Sequence, residues 1–291
     1  MKKLLFIFIK LTSKIIGRKN LEKLLIQSAK SLDINLHVHG LIQNGGLSSY
    51  KVQSNGERSF VEKILANLNK AETKPVFFDV GANVGEYALI LREYFSKAEI
   101  HCFEPVKSTY DKLVENTRDS VINLHNIGFS DKVGTGEIFN TVNSNNTEVA
   151  SIYKDVFSGV FHDHDELVPM EFQMDTIDNF CRSNNIINID FLKIDVEGHE
   201  LSVLKGAADM LLNKGIKIIQ FEINTHNVYS RVFLNDFYQI LPDFEFYRIL
   251  PDELIKIGPY NPQNEIFTLQ NIVAFRKDLG YFIKAKSLNS L

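Results

Sequence analysis

From Pro75 onward, short apolar runs alternate with amphipathic stretches of helical period. That alternation leaves few architectures open, because it is the pattern of β/α units laid around a parallel sheet. The runs predict strands at Val76–Asp79, Glu99–Phe103, Val121–Asn126, Ile189–Ile194 and Ile216–Glu222. Helices are predicted between them over Glu86–Phe95, Ser108–Thr117, Asp175–Arg182 and Gly198–Leu212. In the last of these, Leu201, Leu204, Ala208 and Leu211 recur at helical spacing and form one apolar stripe. Two further runs, Phe244–Ile249 and Ile272–Phe275, are expected to close the sheet as an antiparallel pair. The polar, Asn-rich stretch Thr141–Val168 is longer than an ordinary connector and reads as a functional lid or a disordered segment. Residues 1–70 read as mostly helical with a polar break from Asn44 to Asn55, which predicts a helical extension over 1–54 and a main domain over 55–291.

The segment Val76-Phe-Phe-Asp-Val-Gly-Ala-Asn-Val-Gly-Glu-Tyr87 carries the strongest chemical signal. An apolar strand runs into Asp79, then into a loop with Gly81, Asn83 and Gly85, then into a helix. Glycines there let the chain turn tightly and let a ligand approach the backbone, and ligands of open α/β sheets bind at the carboxyl ends of strands. The spacing fails the G-x-G-x-x-G dinucleotide pattern, because Asn83 and Glu86 stand where glycines are needed, which speaks against a nicotinamide-dependent oxidoreductase. Glu86 after Gly85 also excludes a P-loop. An acidic loop suits a cofactor without phosphate and with cationic groups, and S-adenosyl-L-methionine has both properties. Glu104 ends the next apolar strand and is placed to accept hydrogen bonds from ribose hydroxyls, as the acidic residue of dinucleotide folds does. The third strand ends at Asn126-Ile-Gly-Phe-Ser-Asp131, so Asn126 and Gly128 are candidates for the adenine end of the site, beside the bland reading of an ordinary strand exit.

In Phe191-Leu-Lys-Ile-Asp-Val-Glu-Gly-His-Glu-Leu201, Lys193, Asp195 and Glu197 alternate, and that many charges cannot be buried unpaired. Glu197 and Glu200 precede a helix and also suit its dipole. At this point the chain resembles the FkbM-type S-adenosylmethionine-dependent methyltransferases. The resemblance rests on Phe78-Asp-Val-Gly-Ala-Asn-Val-Gly-Glu-Tyr87, Phe103-Glu-Pro105, Met174-Asp-Thr-Ile-Asp178, Phe191–Glu200, Val203-Leu-Lys-Gly206 and Phe221-Glu-Ile223, with Asn55-Gly-Glu57 upstream. It implies a Rossmann-like class I fold, a seven-stranded and mostly parallel sheet with helices on both faces. It also implies methyl transfer to a hydroxyl of a sugar in a glycan or of a secondary metabolite. Gly128 departs from the pattern, where the family commonly has alanine.

Methyl transfer to oxygen needs the acceptor held in line and its proton removed. Asp195, at the end of the fourth strand, is the first candidate for that base, and His199 and Glu222 are further catalytic candidates. The cofactor set is Asp79, Gly81, Asn83, Gly85, Glu104, Asn126, Gly128 and Asp195. Two alternatives stand beside this reading. One is a Mg²⁺-dependent, catechol-type enzyme in which Glu222, with Asn224 or His226, completes an oxygen-rich site; the other is a non-catalytic cofactor-binding protein on the same fold. His162-Asp-His-Asp165 reads as a solvated loop or a metal-binding segment.

Net charge is −4, and a nucleic-acid binder would need a basic surface. The charge is uneven, at +7 over residues 1–30 and −11 over the remainder. Leu4–Ile9 is far shorter than the about 20 residues of a spanning helix. Two readings of the basic amino-terminal helix stand: one packed on its own domain or a partner, and one lying on a membrane surface. Cys102 and Cys181 give no disulfide or zinc framework, so the expected setting is the cytoplasm, at the inner face of the membrane under the second reading.

Overall fold

The computed structural model describes residues 10–49, 51, 54–66, 74–141, 150–160, 165–280 and 285–287. The chain divides into two compact units, 1–44 and 45–291. In the first, residues 10–16 are helical, followed by α1 (Arg18–Ser31) and α2 (Leu36–Gln43). Asn35 starts α2 by accepting from the Val38 N–H at 3.1 Å. On α1, Leu24, Leu25 and Ile26 are exposed. No helix among the described residues is long and apolar enough to cross a membrane.

The second unit opens with α3 (Glu57–Phe60), which runs into a π-helical turn at Val61–Leu65. Then come β1 (Val76–Val80), α4 (Glu86–Tyr94), β2 (Glu99–Phe103), α5 (Lys107–Thr117), β3 (Asn123–His125), β4 (Gly128–Phe129) and β5 (Gly134–Thr141). Next are α6 (Asp155–Gly159), β6 (Leu167–Asp175), α7 (Ile177–Ser183), β7 (Ile189–Ile194), α8 (Glu200–Lys205), α9 (Ala208–Leu212) and β8 (Ile216–Ile223). The chain ends with α10 (His226–Ser230), α11 (Leu234–Ile240), β9 (Phe244–Ile249), β10 (Leu254–Lys256), β11 (Gln270–Arg276) and β12 (Ala285–Ser287).

The main sheet has the order β12-β10-β9-β11-β8-β7-β1-β2-β3. Strands β3, β2, β1, β7 and β8 run parallel, and β11 is antiparallel to both β8 and β9. The expected antiparallel closing pair is therefore present. The expected seven strands become nine, because β10 and β12 lengthen the edge beyond β9. A turn in which the Leu250 N–H donates to the Glu253 carbonyl at 2.9 Å folds the chain back onto β9 and buries Leu254 and Ile255. Three-residue strands are too short to show an alternation in sequence.

Successive side chains of a strand point to opposite faces. One apolar core gathers Phe78, Val80, Leu192 and Ile194 with residues of α7, α8, α9 and α11. The other gathers Phe77, Phe191 and Ile218 with residues of α3, α4 and α5. Helices thus cover both faces, and the strands are apolar on both sides.

Two features differ from the sequence reading. The predicted helix Gly198–Leu212 is two helices. The Gly206 carbonyl accepts from the Asp178 N–H at 3.0 Å, while the Asp178 carboxylate caps α9 through the Asp209 and Met210 N–H groups at 2.8 and 2.9 Å. The break shifts the apolar stripe, so Ala207 and Met210 are buried and Ala208 is exposed. The second difference is a three-stranded sheet, β4-β6-β5, whose strands flank the polar stretch Thr141–Val168 and are not predicted from sequence. Gly134, Gly136 and Pro169 hide its strands, since both residue types are poor strand formers.

Candidate active site

The order of the main sheet reverses between β1 and β7: from β1 the chain winds outward to β2 and β3, then returns to β7 on the other side. A crevice opens at such a switch point, at the carboxyl ends of the strands. Here it is a cleft open to solvent, about 800 Å³ with its open mouth included. Its walls include Gly81 and Asn83 after β1, Glu104 and Pro105 after β2, Gly128 and Phe129 of β4, and Asp195, Val196, Glu197 and His199 after β7. Ile138 of β5, Phe172 of β6, Ala150 and Ile152 complete it.

The strand ends are fastened to each other by their backbones. The Gly81 and Ala82 N–H groups both donate to the Phe103 carbonyl, at 2.9 and 3.0 Å, and the Asp195 N–H donates to the Val80 carbonyl at 2.9 Å. Gly81 has φ +78°, and a Cβ there would lie 1.8 Å from the Asp195 carbonyl oxygen. No other residue type fits between the two strand ends.

Glu104 is buried in the cleft wall at 6% exposure. Its Oε2 accepts from the Asn83 N–H at 3.1 Å and its Oε1 from the Val106 N–H at 2.9 Å. Burial outweighs these two bonds and raises its pKa to about 7. Each carboxylate oxygen keeps acceptor capacity for a further donor. Asn83 Oδ1 is buried and accepts no hydrogen bond among the described residues.

Beneath the cleft lies a buried ionic layer. Asp79 is fully buried and does not line the cleft; its carboxylate stands 3.7 Å from Lys193 Nζ and accepts no hydrogen bond among the described residues. Lys193 Nζ donates to Asp195 Oδ2 at 2.9 Å and lies 5.0 Å from the centroid of the Tyr87 ring. Burial opposes the lysine charge, but Asp195, Asp79 and Glu57 together outweigh it and raise its pKa. Glu57 is held by Asn55 Nδ2 and Gln220 Nε2, both at 2.6 Å, and Tyr87 donates to Gln220 Oε1 at 2.7 Å. Burial raises the pKa of both Asp79 and Glu57. Asp195 reaches both levels: Oδ2 is fixed by Lys193, while Oδ1 has no partner among the described residues.

At the far side, Glu222 accepts from Asn224 Nδ2 at 2.6 Å. Burial, reinforced by Asp195 and Glu197, holds its pKa well above the usual carboxylate range. Glu197 pairs with His226 Nδ1 at 2.7 Å; burial opposes the histidine charge, but the hydrogen bonding and charge of Glu197 together with the charge of Glu200 outweigh it and raise the histidine pKa. Glu200 Oε1 accepts from the Val196 and Gly198 N–H groups, each at 3.1 Å, and burial raises its pKa to about 7. Among the described residues no three His, Cys, Asp or Glu side chains converge as a metal ligand set.

The structure therefore brings Gly81, Asn83, Glu104, Gly128, Asp195 and His199 to one cleft. Asp79, Gly85, Asn126 and Glu222 stand outside its lining. Gly85 opens α4 and faces Leu113 and Thr117 of α5. Asn126 Nδ2 donates to the Glu104 and Pro105 carbonyls at 2.8 and 3.1 Å, tying β3 to the end of β2. Both nitrogens of His199 are engaged, Nε2 with Ser130 Oγ at 2.8 Å and Nδ1 with the Tyr153 hydroxyl at 3.3 Å, and burial lowers its pKa. At Gly128 a Cβ would lie 2.6 Å from Phe172 Cε2, which accounts for the departure from alanine at this position. His162 to His164 lie outside the described residues. Sequence reasoning missed Phe172, Ile138 and Tyr153, none of which stands in a motif, passed over Ser130 within the strand exit Asn126–Asp131, and did not assign Tyr87 or Gln220 to the ionic layer. Glu57 was visible only as part of Asn55-Gly-Glu57.

Comparison with known proteins places this geometry. Hexuronic acid methyltransferase AglP of Haloferax volcanii is 28% identical over 156 residues, 53% of this chain and 58% of that protein. Methyltransferase sdnD of Sordaria araneosa is 27% identical over 194 residues, 57% of this chain and 74% of that one. The chain thus spans little more than half the length of the first relative. Among solved structures, the N-terminal domain of human METTL16 superposes with a TM-score of 0.42 at 11% identity, covering 81% of this chain and 77% of that one. The plantazolicin methyltransferase BpumL in complex with SAH gives 0.40 at 9% identity, covering 76% and 83%. The family model of the Methyltransferase FkbM domain matches residues 79–250, and on that match over more than half its length this Rossmann-like chain belongs to the FkbM methyltransferase family.

Proposed function

We propose that the protein is an S-adenosyl-L-methionine-dependent O-methyltransferase whose acceptor is a hydroxyl of a sugar or of a secondary metabolite. One observation carries the reading: a buried carboxylate, Glu104, is oriented by two backbone N–H groups and left able to accept more, in a cleft with acidic residues and no phosphate-binding glycine pattern. The residues fit the cofactor. Glu104 accepts from the ribose hydroxyls, Asn83 Oδ1 offers an unused buried acceptor, and the acidic walls suit a cationic ligand. The relative AglP is named for hexuronic acid methylation, which favours a sugar acceptor.

When bound, S-adenosylmethionine supplies an already activated methyl group. The chain must then hold the acceptor oxygen in line and take its proton. Asp195 is the base in this proposal: Lys193 fixes Oδ2 and keeps the carboxylate in place, and Oδ1 receives the acceptor proton. His199, clasped by Ser130 and Tyr153, anchors the cleft wall. Glu222, whose pKa burial raises beside Asp195 and Glu197, stands outside the cleft lining and is not the base in this proposal. Exposed Leu24, Leu25 and Ile26 on the basic α1 suit peripheral contact with a membrane.

Isothermal calorimetry tests the cofactor directly. Binding of S-adenosylmethionine and S-adenosylhomocysteine, with no binding of NAD, is the expected result; NAD binding alone would overturn the assignment.

A further inference from the structure

We infer that the acceptor is a polyol bearing no acidic group, a neutral sugar rather than a uronic acid or a sugar phosphate. This rests on the reading of the cleft as a methyl-transfer site. Of its titratable lining residues, Glu104, Asp195 and Glu197 are acids and His199 is the remaining one. No lysine or arginine lines it among the described residues. Burial favours the neutral form of His199, and both its nitrogens are already engaged.

Lys193, Lys154 and Lys205 do not line the cleft. Lys193 is buried and paired with Asp195 at 2.9 Å and Asp79 at 3.7 Å. Lys154 Nζ sits 4.3 Å from the centroid of the Phe139 ring. Lys205, whose field helps to lower the His199 pKa, is exposed.

A carboxylate or phosphate entering this cleft would lose its water and meet carboxylates in the lining, while the cations behind them, Lys193 on Asp195 and His226 on Glu197, are already paired and do not line the cleft. Hydroxyl groups meet the opposite situation, since carboxylates are acceptors that hydroxyls satisfy. Glu197 is built for that task. It holds φ +55°, a left-handed conformation that residues of its type seldom adopt. His226 and Asn224 secure its Oε2 at 2.7 and 3.2 Å. The position presents a fixed carboxylate at the wall beside Asp195.

The test compares methyl hexosides with the matching methyl hexuronides, which differ only in CH₂OH against carboxylate, using the full chain. S-adenosylhomocysteine release measures turnover, and calorimetry of the protein saturated with S-adenosylhomocysteine measures acceptor binding. The hexoside of a pair should be preferred in kcat/KM by about tenfold or more. Glu197→Gln should shrink that preference by raising relative use of the hexuronide. Equal or better use of the hexuronide overturns the inference. So does the failure of every neutral polyol to bind or react while the cofactor still binds. Failure of the cofactor itself to bind strikes the methyltransferase reading instead.

Discussion

Two buried carboxylates at neighbouring strand ends, Asp79 as the penultimate residue of β1 and Glu104 just after β2, have opposite surroundings. Asp79 has a cation 3.7 Å away and no hydrogen bond among the described residues. Glu104 has two backbone N–H donors and is 6% exposed in a cleft wall. The first belongs to a buried ionic layer in which Lys193 offsets several acids and donates to Asp195. The second has its pKa raised to about 7 by burial, and donors from a ligand would favour its ionised form. Burial alone therefore does not identify a ligand-binding acid; what matters is whether its remaining acceptor capacity faces protein or open space.

The largest expected effect comes from removing the cation of the buried layer. Lys193→Met strands Asp79, Asp195 and Glu57 around an empty position and should cost about 3–5 kcal/mol of stability, read as a lower urea midpoint. A loss under about 1 kcal/mol would mean that these acids are protonated and need no lysine, and the contrast with Glu104 would dissolve. Asp195→Asn keeps the shape and a bonding partner for Lys193 but removes the base. Turnover should fall by about 10²–10⁴-fold with cofactor affinity unchanged, and a full-rate variant would place the base elsewhere.

Glu104→Ala sharpens the other side of the comparison. Loss of hydrogen bonds to a charged acceptor, worth about 1.5–3 kcal/mol each, should weaken cofactor binding by more than about tenfold, with the urea midpoint moving far less than in Lys193→Met. The smallest effect is in pH. The Glu104 pKa is raised on folding, so its ionisation lowers the stability of the cofactor-free protein as pH rises from about 4.5 to about 7, and the penalty is then constant. Cofactor affinity should run the other way, weakening as pH falls through about 7, and Glu104→Gln should flatten that slope. Glu200, also raised to about 7, keeps a stability dependence of the same sign in the variant.

Much of this molecule was legible before any coordinates. The strands Glu99–Phe103, Ile189–Ile194 and Phe244–Ile249 have the same limits in sequence and structure, because large apolar residues dominate each of them and no more than two polar residues interrupt any one. The grouping of Gly81, Asn83, Glu104 and Asp195 was legible for a related reason: residues that end parallel strands at a switch point must meet. Glu104 could be read from its place after β2, but not its two backbone donors or its raised pKa.

Tertiary structure alone decided which of those strand-end residues face open space. Asp79 and Glu104 look alike in sequence, each a carboxylate after an apolar run, and only packing puts Lys193 beside one and the cleft beside the other. The same holds for Phe172, which reaches Gly128 across a gap of 44 residues, and for Tyr153, which meets His199 from a stretch that reads as a polar loop. Local sequence sets backbone conformation because steric and hydrophobic preferences act between near neighbours. Which charge lies beside which is settled by contacts between distant segments, and those exist only once the sheet has formed.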